Sequence, residues 1–93
     1  MNDEMKQLIE RAAVALKAAG AKEVYLFGSA ASGTMYEDSD IDMAVSGLPP
    51  EVFFHAMSQA HDILGRPLDL IDLDESNLFT QYLRKKGKLH RVV

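Results

Sequence analysis

The 93-residue chain switches between two hydrophobic periodicities, and each switch marks an element. Met5, Leu8, Ile9, Ala12 and Leu16 recur at helical spacing. They predict a first helix from about Asn2 or Asp3 to Ala19, with Asp3 able to cap its start and Gly20 to stop it. Glu23 to Gly28 (EVYLFG) is short, β-branched and aromatic, as a buried strand is. Asp40 to Val45 (DIDMAV) alternates strictly and predicts a second strand. Ser46 to Pro50 is a turn whose last proline suits the first turn of a helix. That helix runs from about Pro50 to Leu64 on a stripe of Val52, Phe53, Ala56, Met57, Ala60, Ile63 and Leu64. Gly65 to Pro67 breaks it, and Leu68 to Leu73 (LDLIDL) predicts a third strand. Asp74 to Lys86 reads as a last helix, with an acidic start and a basic end that both suit the macrodipole. Gly87 stops it, and Lys88 to Val93 can form a short edge strand. The link from Ser29 to Ser39 is too long for a tight hairpin and has room for a helical turn.

This order predicts one α/β (α+β) domain over residues 1–93, a small mixed sheet with helices mainly on one face. A domain of this size buries little more than about 60% of its unfolded surface. It can hold one modest core and little else, so a deep substrate cleft would need a partner or a very economical site. Acidic residues outnumber basic ones 14 to 10, a formal charge of −4. That balance argues against direct nucleic-acid binding, which needs a basic face. The absence of cysteine removes disulfides and thiolate metal sites. No apolar run approaches the roughly 20 residues of a membrane span. The charged, amphipathic start does not resemble a signal peptide, and the expected location is the cytoplasm.

The chemistry concentrates in the predicted strands. Side chains alternate along a strand, so Asp40, Asp42 and Ala44 share one face while Ile41, Met43 and Val45 share the core face. Leu68 and Leu70 join that core, and Asp69 then faces the same way as Asp40 and Asp42. If the two strands are neighbours, three carboxylates converge on an uncovered face of the sheet. Each like-charged pair at about 4 Å costs on the order of several kcal/mol near a protein surface, so the arrangement calls for a cation. Oxygen ligands without cysteine or a histidine cluster select Mg²⁺ or Mn²⁺. Gly28 lets the backbone approach a ligand closely. Ser29 and the amides after it can cradle a phosphate, and Gly33 lets the chain turn away.

Gly28-Ser29, ten residues, Asp40-Ile41-Asp42 and then Leu68-Asp69-Leu70 resemble the signature of the minimal nucleotidyltransferases of the DNA polymerase β-like superfamily. The likeness covers nearly the whole chain in size, element order and motif. It implies the nucleotidyltransferase fold, with a nucleoside triphosphate as substrate. By that resemblance Asp40 and Asp42 bind metal and triphosphate, and Asp69 binds metal and helps activate the attacking hydroxyl. Gly28 and Ser29 match the phosphate-binding pair. The resemblance also implies a biology. Stand-alone domains of this kind serve as antitoxins that transfer AMP from ATP to a tyrosine of a partner HEPN-domain ribonuclease toxin. One departure stands out. Many relatives carry Gly-Ser-Arg-Ala-Arg-Gly where this chain has Gly28-Ser29-Ala30-Ala31-Ser32-Gly33, so two cations for the triphosphate are absent. A non-catalytic module that neutralises a toxin by masking it is therefore the alternative.

Other positions have plainer readings. Asp72 lies opposite Asp69 in the alternation and is expected to end the strand or cap the last helix. Ser39 can bond the loop or orient a carboxylate beside the nucleotide. Tyr25 and Phe27 read as core, His55 and His61 as surface or packing residues, and Arg84 to Lys88 as a solvated helix end.

Overall fold

A computed structural model describes residues 3–33 and 40–93. Eight elements follow in order: α1 (Asp3–Ala18), β1 (Glu23–Phe27), α2 (Gly28–Ser32), β2 (Ile41–Ser46), α3 (Pro50–Leu64), β3 (Leu68–Asp72), α4 (Leu78–Lys85) and β4 (His90–Arg91). The four strands form one mixed sheet in the order β3-β2-β1-β4. β1 runs antiparallel to β2 and to β4, whereas β2 and β3 are parallel. A parallel pair cannot be closed by a hairpin, and α3 supplies the crossover.

One sheet face carries Val24, Leu26, Ile41, Met43 and Val45, all buried. α1 and α3 cover it. Where these helices meet the core they present Ala12, Ala13, Ala56 and Ala60, at most 1% exposed, and such small side chains let two helices pack closely. α3 begins with Pro50 at its first position and ends at Gly65, whose left-handed backbone (φ 69°) returns its N–H to the His61 carbonyl. Its observed span matches the sequence expectation residue for residue.

The opposite face is not bare. Phe27, Ala44, Leu73 and Leu83 form a second buried cluster, flanked by Tyr25, Ile71 and Leu89. α4 therefore covers part of the face that the alternation pattern left open, which corrects the expectation of an uncovered surface. The start of α4 also differs from expectation, at Leu78 rather than Asp74. Asp72 Oδ1 accepts from the Asp74 amide at 2.9 Å, and Asp74 Oδ2 accepts from the Gly47 amide at 2.7 Å. These bonds commit residues 72–74 to a turn. Asp72 thus ends β3, and it is Asn77 that caps α4. Asn77 Oδ1 accepts from the Thr80 amide at 2.9 Å, and the Thr80 hydroxyl accepts from the Asn77 amide at 3.0 Å. This reciprocal pair satisfies two helix-start donors at once. β4 is only two residues long and is tied down by a side chain. Arg91 donates to Glu23 Oε2 at 3.1 Å, and Glu23 also accepts from Tyr25 Oη and Ser46 Oγ.

Asn77→Ala removes the acceptor for the Thr80 amide. Its expected cost is about 1 kcal/mol of unfolding free energy, read as a lower urea midpoint at unchanged slope. An unchanged midpoint would mean that the cap does not hold α4 in place.

Candidate active site

Strand register assembles the site. Phe27 pairs with Asp42 across β1 and β2, and Asp42 pairs with Asp69 across β2 and β3. Neighbouring strands lie about 4.8 Å apart, so these two carboxylates rise side by side from one sheet face. Asp40 is exposed and immediately precedes β2. Gly28 follows Phe27 and sits against Asp42. Its backbone is left-handed (φ 64°), and a Cβ there would collide with Asp42 Oδ2 and lie 3.3 Å from Asp42 Cγ. Two independent constraints thus demand glycine at this position, conformation and space.

The electrostatics are those of an unneutralised acidic cluster. Asp42 is half-buried, and its carboxyl is pushed above the ordinary carboxylate range, first by burial and then by the charges of Asp69 and Asp40. Among the described residues, no basic side chain forms an ion pair with Asp40, Asp42 or Asp69. Nor do any three acidic or histidine side chains among them converge closely enough to make a ready ligand cage for a metal ion. The donor set fits a hard divalent cation: carboxylate oxygens on adjacent strands, with no sulfur or histidine ligand beside them.

α2 turns away from the sheet directly after β1. No side chain caps its start, which leaves its first-turn amides open. Ser29 is half-buried, and its carbonyl accepts from the Gly33 amide and, at 3.3 Å, from Ser32 Oγ. The Ser29 hydroxyl has no partner among the described residues. Gly33 ends α2 with a left-handed backbone (φ 77°), and nothing lies within 4 Å of a Cβ placed there. Its role in the structure is to end the helix. The structure therefore brings Gly28, Ser29, Asp42 and Asp69 together, with Asp40 at the margin and Gly33 at the far end of α2. Ser39 lies outside the described residues.

The two loop positions where relatives carry arginine differ here. Ala30 is buried in the main core cluster, whereas Ser32 is exposed. Arg84 is placed by the structure near the far end of β1. Its charge acts on Glu23, at the end of β1 opposite Gly28. One neighbour escaped the sequence reading: Phe79 of α4 meets Phe27 edge-on, with ring centroids 5.8 Å apart. Leu83 signals a buried contact for α4, but not which sheet face receives it.

A carboxyl whose pKa is raised by folding holds a proton that the unfolded chain would release. Its contribution to stability is present at low pH and is lost as pH rises through the raised value. Asp42→Asn should therefore melt above wild type at pH 7 in EDTA, with the gap closing as pH falls below about 4. Equal melting temperatures at pH 7 would remove the proposed repulsion.

The polymerase beta nucleotidyltransferase family matches residues 12–89, a span that includes every candidate residue above. None of the curated proteins matches the chain. Several solved structures share its fold. A toxin–antitoxin structure with AMP-PNP has a TM-score of 0.73 at 23% identity, covering 90% of this chain and 72% of that one. A tri-AMPylated HEPN toxin in complex with its MNT antitoxin, from Shewanella oneidensis, scores 0.66 at 21% identity over 95% of this chain and 71% of that one. A minimal nucleotidyltransferase scores 0.72 at 23% identity, over 98% of this chain and 94% of that one. No described helix is long and apolar enough to cross a membrane. By the family match and by the shared fold, the chain belongs to the polymerase beta nucleotidyltransferase family.

Proposed function

We propose that this chain is a Mg²⁺-dependent nucleotidyltransferase that moves AMP from ATP to a tyrosine hydroxyl of a HEPN-type ribonuclease toxin, and so acts as its antitoxin. The observation that carries the reading is the pairing of Asp42 with Asp69 across β2 and β3, with Gly28 packed against Asp42. The partner is supported by the fold shared with toxin–antitoxin structures, one containing AMP-PNP and one a tri-AMPylated toxin.

In this mechanism Ser29 and the open amides of α2 orient the triphosphate. Asp40, Asp42 and Asp69 would hold the divalent cation, which would neutralise phosphate charge and stabilise the leaving oxygen. Asp69 takes the proton of the acceptor hydroxyl. The acceptor oxygen forms its bond to the α-phosphorus, the bond to the β-phosphate oxygen breaks, and pyrophosphate leaves. Positioning and charge supply most of the rate. A raised proton affinity at Asp42 makes cation binding pH-dependent, because cation and proton compete for one carboxylate.

A second reading, that the chain only masks its toxin, is favoured by one observation: Ala30 and Ser32 stand where relatives place arginines. The two readings separate with α-phosphate-labelled ATP, Mg²⁺ and the purified toxin. Transfer is expected from wild type and to fall at least about a hundredfold in Asp42→Asn. Toxin neutralised equally by wild type and mutant, with no label transferred, would establish masking. Mg²⁺ should raise the melting temperature of wild type by preferential binding to the folded state and leave Asp42→Asn unmoved. Ser32→Arg should lower the KM for ATP severalfold, because it adds a cation at an exposed position on α2. No change in KM would place the triphosphate elsewhere.

A further inference from the structure

β3 is an edge strand, and its outer side opens onto a groove. The groove encloses about 460 Å³ between the N-terminal turns of α3 and α4. Pro50, Phe53 and Phe54 wall it on one side, Phe79 on the other, and Leu70 and Ile71 form its floor. Phe54 is 74% exposed and Phe79 47%, and next to Phe79 in the chain Leu78 is 86% exposed. Large apolar side chains gathered at one place on a surface mark an interaction site.

We propose that this groove is the docking surface for the acceptor protein, and that it receives an apolar segment with basic flanks. The inference rests on the transfer reading above for its orientation. The triphosphate cradle at Gly28-Ser29 lies on the β1 side of the site, and Asp69 lies on the β3 side. Phosphoryl chemistry places the attacking oxygen in line with, and opposite to, the leaving group. The acceptor therefore enters from the β3 side. Ile71 follows Asp69 by two residues on the same strand face, about 7 Å away. Phe79 touches Phe27, whose backbone pairs with Asp42. Ile71 and Phe79 thus bring the groove to the neighbourhood of the carboxylates, on the side from which the hydroxyl must arrive.

Charge names the occupant. The lining holds Asp72 and Glu75 and no lysine or arginine, and Glu51 follows Pro50 at the rim. A basic flank complements this wall, whereas a second copy of this chain would bring its own acidic wall against it. A nucleotide is the wrong occupant for the same reason, since its phosphates would meet carboxylates.

The probe is a 20-residue helix-forming peptide with leucines and one tyrosine on one face and lysines at both ends. Its twin carries glutamates in place of the lysines. The full chain, labelled with ¹⁵N, is titrated with each. Saturable shifts confined to the amides around Phe54, Ile71 and Phe79 are expected from the lysine peptide alone. Phe54→Ser combined with Glu75→Lys should weaken its binding at least tenfold at unchanged melting temperature. Equal binding of the glutamate twin, shifts centred on another face, or binding undiminished in the double variant would overturn the inference. So would concentration-dependent shifts of the same amides without peptide, which would mark the groove as a self-association surface. Mass spectrometry of the peptide after incubation with ATP and Mg²⁺ keeps the two proposals separable. Groove-specific shifts without AMP on the tyrosine support docking and count against transfer. Transfer at the wild-type rate by the double variant overturns docking and leaves transfer standing.

Discussion

The structure turns on a repulsion that the fold enforces. Asp42 and Asp69 are locked opposite each other by the parallel ladder of β2 and β3, and Gly28 closes the third side of Asp42. Neither carboxylate is offset by a described ion pair. The Asp42 carboxyl is pushed above the ordinary carboxylate range first by its burial and then by the charges of Asp69 and Asp40, so the fold disfavours its ionised form. Such an arrangement survives only if the elements bearing it are held by something stronger, and the opposite sheet face supplies it.

Strict alternation links the two faces. Ile41, Met43 and Val45, all fully buried, point away from Asp42 and anchor β2 beneath α1 and α3. A slip of one residue in β2 would bury Asp42 in the core and expose this trio, so the hydrophobic face fixes the register of the carboxylates. α3 performs a second service. As the crossover it forces β2 and β3 to be parallel, which brings the starts of both strands, and hence both aspartates, to the same end of the sheet. The Ile41 amide bonds the Pro67 carbonyl at 3.0 Å and fastens that end.

Most of this was legible in the sequence because it rests on periodicity. The alternation in DIDMAV and LDLIDL sorts carboxylates from core, and the proline and glycine around α3 state its limits. Two features were not legible. The acidic run Asp74-Glu75-Ser76 looks like a helix start, yet Asp72 and Asp74 spend their side chains on backbone amides of a turn, and the cap passes to Asn77 and Thr80. A capping box closed by threonine rather than glutamate or glutamine is a weak signal in a sequence. The second feature is the face on which α4 lands. Leu83 and Thr80 announce a buried stripe, but an amphipathic helix states only that it packs, not against what. The landing place depends on Phe27, Ala44 and Leu73, which are brought together by three separate elements.

That landing place shapes the chemistry. α4 divides the carboxylate face into an apolar half, closed by Leu83 on Ala44 and Phe27, and an acidic half at the strand starts. Asp42 is half-buried as a result of its surroundings on one side and open on the other, while Asp69 stays exposed at the sheet's edge. With α4 taking the lower half, Asp69 stays open to solvent among the described residues. Under the proposed transfer, enclosure comes from the molecule that brings the acceptor hydroxyl, which makes exclusion of water from the site depend on recognition of the correct partner.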